Sequence, residues 1–136
     1  MTKQIDFKRY AEFVDAVTSD ESKDFVAMSD RLVALDRHGI NIERLLTGAV
    51  GLSAEGGELM EIVKKLIFQG KPVNDETIFH LKRELGDVMW YVMQVIMALD
   101  ISMEEIIELN VEKLVKRYPG GEFDPFYSEN RQAGDL

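Results

Sequence analysis

Cysteine is absent from this chain, and histidine occurs only twice, at His38 and His80. Without cysteine there are no disulfides and no thiolate metal sites, which fits a reducing cytoplasm. The residues three before the histidines are Leu35 and Thr77, so the Glu-x-x-His pairs of di-iron helical bundles are missing too. His80 reads as an exposed or capping-region histidine rather than a ligand. Basic side chains are outnumbered: 16 Lys and Arg face 25 Asp and Glu, for a net charge of −9. Such a surface repels a phosphate backbone, so no nucleic-acid partner is expected. Acidity by itself means little beyond solubility. It still leaves room for divalent cations, because carboxylates are hard oxygen ligands. Long apolar runs are also lacking. The longest, Val88 to Leu99, is broken by Gln94 and is too short to span a bilayer. Met1 to Tyr10 is polar and mixed in charge, with no apolar signal-peptide core. No membrane partner is expected. No period-two run is flanked by turn signals, so strands are not supported. Internal repeats and low-complexity segments are absent.

What is present suits a single all-α domain over residues 1–136. The apolar fraction is 46%, enough for a core. Phe7, Tyr10, Phe13, Val14 and Val17 sit at helical spacing and predict a helix over Asp6 to Val17. Ser19 to Lys23 is a polar break. Phe25, Met28, Leu32 and Leu35 predict a second helix over Asp24 to His38, ended by Gly39. A third should start near Asn41, a fair N-cap, and run to about Phe68, where Gly70-Lys71-Pro72 stops it. Asn74 can cap a fourth helix reaching roughly Leu99. Ser102 and Glu105 form a capping box for a fifth, which stops at Tyr118 before Pro119-Gly120-Gly121. The core therefore spans 41–118, and 119–136 reads as an irregular tail docked by Phe123, Phe126 and Tyr127.

Two acidic pairs stand out. The third helix carries Glu55 and Glu58, and the fourth carries Glu84 and Asp87. Residues three apart lie about 60° apart on a helix and share a face. The midpoint between the two pairs is residue 71, inside the Gly70-Lys71-Pro72 turn. In an antiparallel hairpin, positions equidistant from the turn lie side by side, so all four carboxylates can meet. Leu85, Val88, Met89, Trp90, Val92 and Met93 surround the second pair, and a helix apolar on nearly all sides is expected to be buried on nearly all sides. Carboxylates buried there need a partner. Oxygen-only ligands favour magnesium or manganese. Gly56, Gly57 and Gly86 lie within helices, each at a cost of roughly 1 kcal/mol relative to alanine. They predict a close approach of backbone or ligand, or tight helix packing.

Glu-x-x-Glu, a spacer and Glu-x-x-Asp on adjacent helices resemble the all-α nucleoside triphosphate pyrophosphohydrolases, and within them the MazG-like branch. Gly51-Leu52-Ser53-Ala54-Glu55-Gly56-Gly57-Glu58 is similar to that branch's first motif. Lys82-Arg83-Glu84-Leu85-Gly86-Asp87 with Trp90-Tyr91 is similar to its second. Asn110-Val111-Glu112-Lys113-Leu114, followed by Lys116-Arg117-Tyr118-Pro119, is similar to its third. The likeness covers about Leu45 to Phe123, and the flanks look like small MazG-like proteins of bacteriophages. One departure is Ala54, where some members carry another glutamate.

The resemblance implies a MazG-like helical bundle around a central antiparallel hairpin, assembled as a dimer or tetramer. It implies a bacterial or phage-infected host cytoplasm. It implies Mg²⁺-dependent cleavage of (deoxy)nucleoside triphosphates between the α and β phosphates, giving a monophosphate and pyrophosphate. Glu55, Glu58, Glu84 and Asp87 would hold the metal. A water activated there would attack the α-phosphorus, with Glu55 or Glu58 taking its proton. Lys65, Asn110, Lys113 and Arg117 would meet phosphates; the last three also share a face by their spacing. Trp90 and Tyr91 would contact sugar or base, unless they serve core or subunit packing. Glu61 reads as a solvated helix glutamate. Alternatives are a dUTPase-like or phosphoribosyl-ATP pyrophosphohydrolase-like enzyme of the same fold, and a non-catalytic acidic helical adaptor.

Overall fold

A computed structural model describes residues 5–135, all of them in helices, turns or irregular segments. Residues 1–4, part of the polar N-terminal stretch, and Leu136 lie outside the described residues. The chain divides into two compact units, Met1–Glu43 and Arg44–Leu136. No described helix is long and apolar enough to cross a membrane.

In the first unit, α1 spans Phe7–Val17. Asp6 is its N-cap rather than its first residue, accepting a hydrogen bond from the Arg9 N–H at 3.0 Å. A 3-10 turn, Asp20–Ser22, fills the polar break. Helix α2 spans Phe25–Arg37, and its Asp24 cap accepts from the Ala27 N–H at 2.8 Å. Gly39 has φ +84°, a left-handed conformation that glycine adopts without a Cβ penalty. The stripe of α1 is exposed along its length, from Phe7 to Val17.

The second unit holds α3 (Ile42–Phe68, beginning just ahead of the boundary), α4 (Asp75–Leu99), α5 (Met103–Arg117) and α6 (Pro125–Glu129). The α3–α4 turn is closely tied. The Lys71 N–H donates to the Lys65 carbonyl at 3.1 Å. Asn74 caps α4 by accepting from the Thr77 N–H at 2.9 Å. The hydroxyl of Thr77, itself 1% exposed, donates to the Pro72 carbonyl at 2.8 Å. Ser102 caps α5 through the Glu105 N–H at 3.1 Å, as the capping box predicts. Between them, Asp100 takes the left-handed conformation at φ 52°. The 119–136 segment is not irregular throughout: α6 forms because Asp124 caps it and Pro125 starts it, and proline suits a first helical position.

Contacts between α3 and α4 run in opposite senses along the two helices. Arg44 Nη1 donates to Gln94 Oε1 at 3.2 Å and reaches Met97 Sδ at 3.4 Å. Gly48 lies against Val95 and the Tyr91 carbonyl, and Gly51 lies under the Tyr91 ring. As α3 advances from Arg44 to Gly51, its partner on α4 retreats from Met97 to Tyr91. Ile96 and Ala98 are buried. The expectation that α4 is buried on nearly all sides does not hold for one copy of the chain. Leu85, Met89, Trp90 and Met93 are exposed, and Val88 and Val92 are half-buried. The reason is angular: residues two positions from Tyr91 point some 200° away from it. The face that meets α3 therefore leaves Met89 and Met93 outward.

Candidate functional site

Each helix places its acidic pair by its own periodicity, and the turn brings Glu84 of α4 beside Glu55 and Glu58 of α3. One carboxylate oxygen each from Glu55, Glu58 and Glu84 lies within 4.8 Å of the others. Glu55 and Glu84 are half-buried and Glu58 is exposed. Glu84 Oε2 is shut off from solvent with no hydrogen-bond partner. A carboxylate oxygen left this way is costly unless a cation or donor reaches it. Partial burial, then the charges of Glu58, Asp87 and Glu84, raise the Glu55 carboxyl above the ordinary glutamate range. Asp87 stands outside the three-membered group and is exposed, but its charge acts on Glu55.

The glycines beside these carboxylates are open. A Cβ at Gly56, Gly57 or Gly86 would meet no atom within 4 Å. The close helix approach predicted there occurs instead at Gly48 and Gly51, whose added Cβ atoms would collide with Val95 and Tyr91. Their signal in the sequence is the i, i+3 spacing of two glycines on one helix face.

The expected phosphate-binding residues fall into separate settings. Lys65 Nζ pairs with Glu61 at 3.3 Å, and Lys64 pairs with the same carboxylate at 2.6 Å. Hydrogen bonds from Lys64 and Lys65 lower the Glu61 carboxyl below its usual range. Lys113 and Arg117 line a cavity of about 420 Å³, together with Leu109, Glu112, Lys116 and the segment Gln132 to Asp135. Asn110, though on the same helix, is not among the lining residues. Trp90 and Tyr91 meet edge to face, 4.8 Å between centroids, and Tyr91 is held by its packing on Gly51. His80 is half-buried beside Phe79, 6.1 Å between ring centroids.

Sequence reasoning missed the partner of Arg117. Its Nε and Nη2 donate to the two carboxylate oxygens of Asp135 at 2.6 and 2.5 Å. The side chains are only 13% and 12% exposed. Bonding to Asp135 raises the guanidinium's affinity for its proton. Nothing local announces this pair, which is 18 residues apart.

Residues 42–121 match the family model described as the MazG nucleotide pyrophosphohydrolase domain. The Gene 37 protein of Mycobacterium phage L5 is 38% identical over 82 residues, 60% of this chain and 72% of that protein. No solved structure matches the chain.

Proposed function

Because the chain belongs to the MazG nucleotide pyrophosphohydrolase domain family, we propose that it is a Mg²⁺-dependent pyrophosphohydrolase converting (deoxy)nucleoside triphosphates to monophosphates and pyrophosphate. The observation that carries this reading is the convergence of Glu55, Glu58 and Glu84 within 4.8 Å, with one Glu84 oxygen shielded and unpartnered.

The donor set fits a hard divalent cation, since every ligand is a carboxylate oxygen. Asp87 completes the site from the next turn of α4. The opposed run of contacts from Arg44 to Gly51 supports an antiparallel α3–α4 hairpin, in which all four carboxylates would lie near one level. A cation held there would neutralise polyphosphate charge and acidify a nearby water. Glu55 is suited to take the water's proton, because a raised proton affinity brings a carboxylate closer to working pH. Lys65, Asn110, Lys113 and Arg117 would meet the phosphates and offset charge on the departing pyrophosphate. Trp90, exposed beside the anchored Tyr91, would face the sugar or base. The exposed apolar side of α4 supports assembly as a dimer or tetramer. The acidic surface and lack of cysteine suit a cytoplasmic enzyme with neither nucleic-acid nor membrane partners.

A panel of dNTPs and NTPs assayed with Mg²⁺ should release pyrophosphate and a monophosphate. Glu58→Ala and Asp87→Ala should lower turnover by at least about a hundredfold, the scale on which single catalytic groups act. Hydrolysis by both variants at the parent's rate would remove the site assignment. Release of inorganic phosphate in place of pyrophosphate would remove the reaction.

A further inference from the structure

The Arg117–Asp135 pair is built like an anion site with its anion supplied by the chain itself. A guanidinium offers two parallel N–H donors at a spacing that suits a carboxylate or a phosphate equally. Here both donors are taken by one carboxylate, at 2.6 and 2.5 Å. Lys113 and Lys116 line the adjoining cavity, one wall of which is the segment Gln132 to Asp135 itself. Glu112 lines the same cavity, so with Arg117 and Asp135 paired the two lysines leave the lining net positive by one charge, on a chain that is otherwise strongly acidic. Bonding to Arg117, then the charges of Lys113 and Arg131, hold the Asp135 carboxyl below its usual range.

The backbone that delivers Asp135 is specific. Gly134 has φ +91°, and the Asp135 N–H closes a turn on the Gln132 carbonyl at 3.0 Å. A Cβ at Gly134 would meet nothing within 4 Å, so only this left-handed turn requires glycine there. The 18-residue span from Arg117 to Asp135 must also be closed at an entropic cost. The ion pair and the turn together hold it.

We propose that the C-terminal segment is an autoinhibitory strap: Asp135 fills the Arg117 fork in place of a polyphosphate, and the segment leaves before such a ligand binds there. The apparent affinity for polyphosphate is then the intrinsic affinity reduced by the fraction of molecules whose strap is open. The inference rests on the proposed function in one respect, the polyphosphate class of the ligand.

The test is calorimetric titration of the full chain with inorganic pyrophosphate in EDTA. Asp135→Asn removes the competing charge, and Gly134→Ala disfavours the delivering turn without touching a charged group. Both should bind pyrophosphate about tenfold more tightly than the parent, and Arg117→Gln should lose most of the affinity. Parent-like affinity in both strap variants overturns the proposal. So does undiminished binding by Arg117→Gln, or an absence of pyrophosphate binding by every variant. Because EDTA takes the carboxylate site out of the measurement, an inactive enzyme with intact displacement would leave the strap standing. An active enzyme with equal affinities would remove only the strap.

Discussion

Among single residues, Glu55 reports most directly on the carboxylate group. Its carboxyl is raised by partial burial and then by three neighbouring negative charges. A raised carboxyl is one whose charged form the fold disfavours. Without divalent cation, that repulsion is fully present above the folded-state pKa. It is relieved as pH falls through that raised value, so the folded state gains stability there. A bound cation reverses the balance, because it needs the charged form. Adding Mg²⁺ at neutral pH should therefore raise Tm, and the increment should shrink as pH approaches the Glu55 range. Thermal melts with Mg²⁺ and with EDTA across that pH interval check this. An Mg²⁺ increment independent of pH, or retained in Glu84→Gln, would separate the cation from these carboxylates. The acidic pairs themselves were legible in the sequence, because i, i+3 spacing defines a face without reference to the rest of the chain. The differing exposure of Asp87 and Glu84 was not, since it depends on what packs alongside.

At the scale of elements, α3 and α4 approach closely at Gly48 and Gly51. The Tyr91 ring occupies the space a side chain at Gly51 would need. Gly51→Ala should gain a few tenths to about 1 kcal/mol in intrinsic helix propensity. It should lose about 1–3 kcal/mol to overpacking against a ring that is already placed. The overpacking term is the larger, so net destabilisation is expected by urea unfolding. Gly57→Ala, at a position open in one chain, serves as the contrasting substitution and should not destabilise the isolated chain. Equal stability of Gly51→Ala and the parent would mean that the two helices separate at little cost. The limits of α1 to α5 were legible to within a residue or so, because caps such as Asp24, Asn74 and Ser102 each satisfy a nearby N–H; α6 was not. The identity of the packing glycines was not. Gly48, Gly51, Gly56, Gly57 and Gly86 are all helical, and only the partner helix tells them apart.

For the whole molecule, the unfilled requirement is cover for apolar surface. Met89, Met93 and Met97 follow one line on α4 at four-residue spacing, and each is about half exposed. Leu46 and Val50 on α3 and Ile107 and Val111 on α5 are exposed as well. A methionine line of this kind left open along α4 is the sort of apolar surface that marks association. Sedimentation of the parent at micromolar concentration should give a dimer or tetramer. Met89→Glu combined with Met93→Glu should shift it to monomer. A parent that sediments as a monomer throughout that range would contradict assembly through α4.

The amino-acid order alone determined the all-helical class, the limits of α1 to α5 and the two acidic pairs, because capping and periodicity act within a few residues. It also carried the MazG motifs, which are runs of adjacent residues. Tertiary structure decided which carboxylates converge, which glycines are packing surfaces and where Arg117 finds its anion. Each of these joins residues far apart in the chain: Glu55 to Glu84, Gly51 to Tyr91, Arg117 to Asp135. Such pairs are set by burial and chain closure summed over whole helices; equal distance from the turn at residue 71 anticipated the first, but nothing local records the ring over Gly51 or the anion of Arg117.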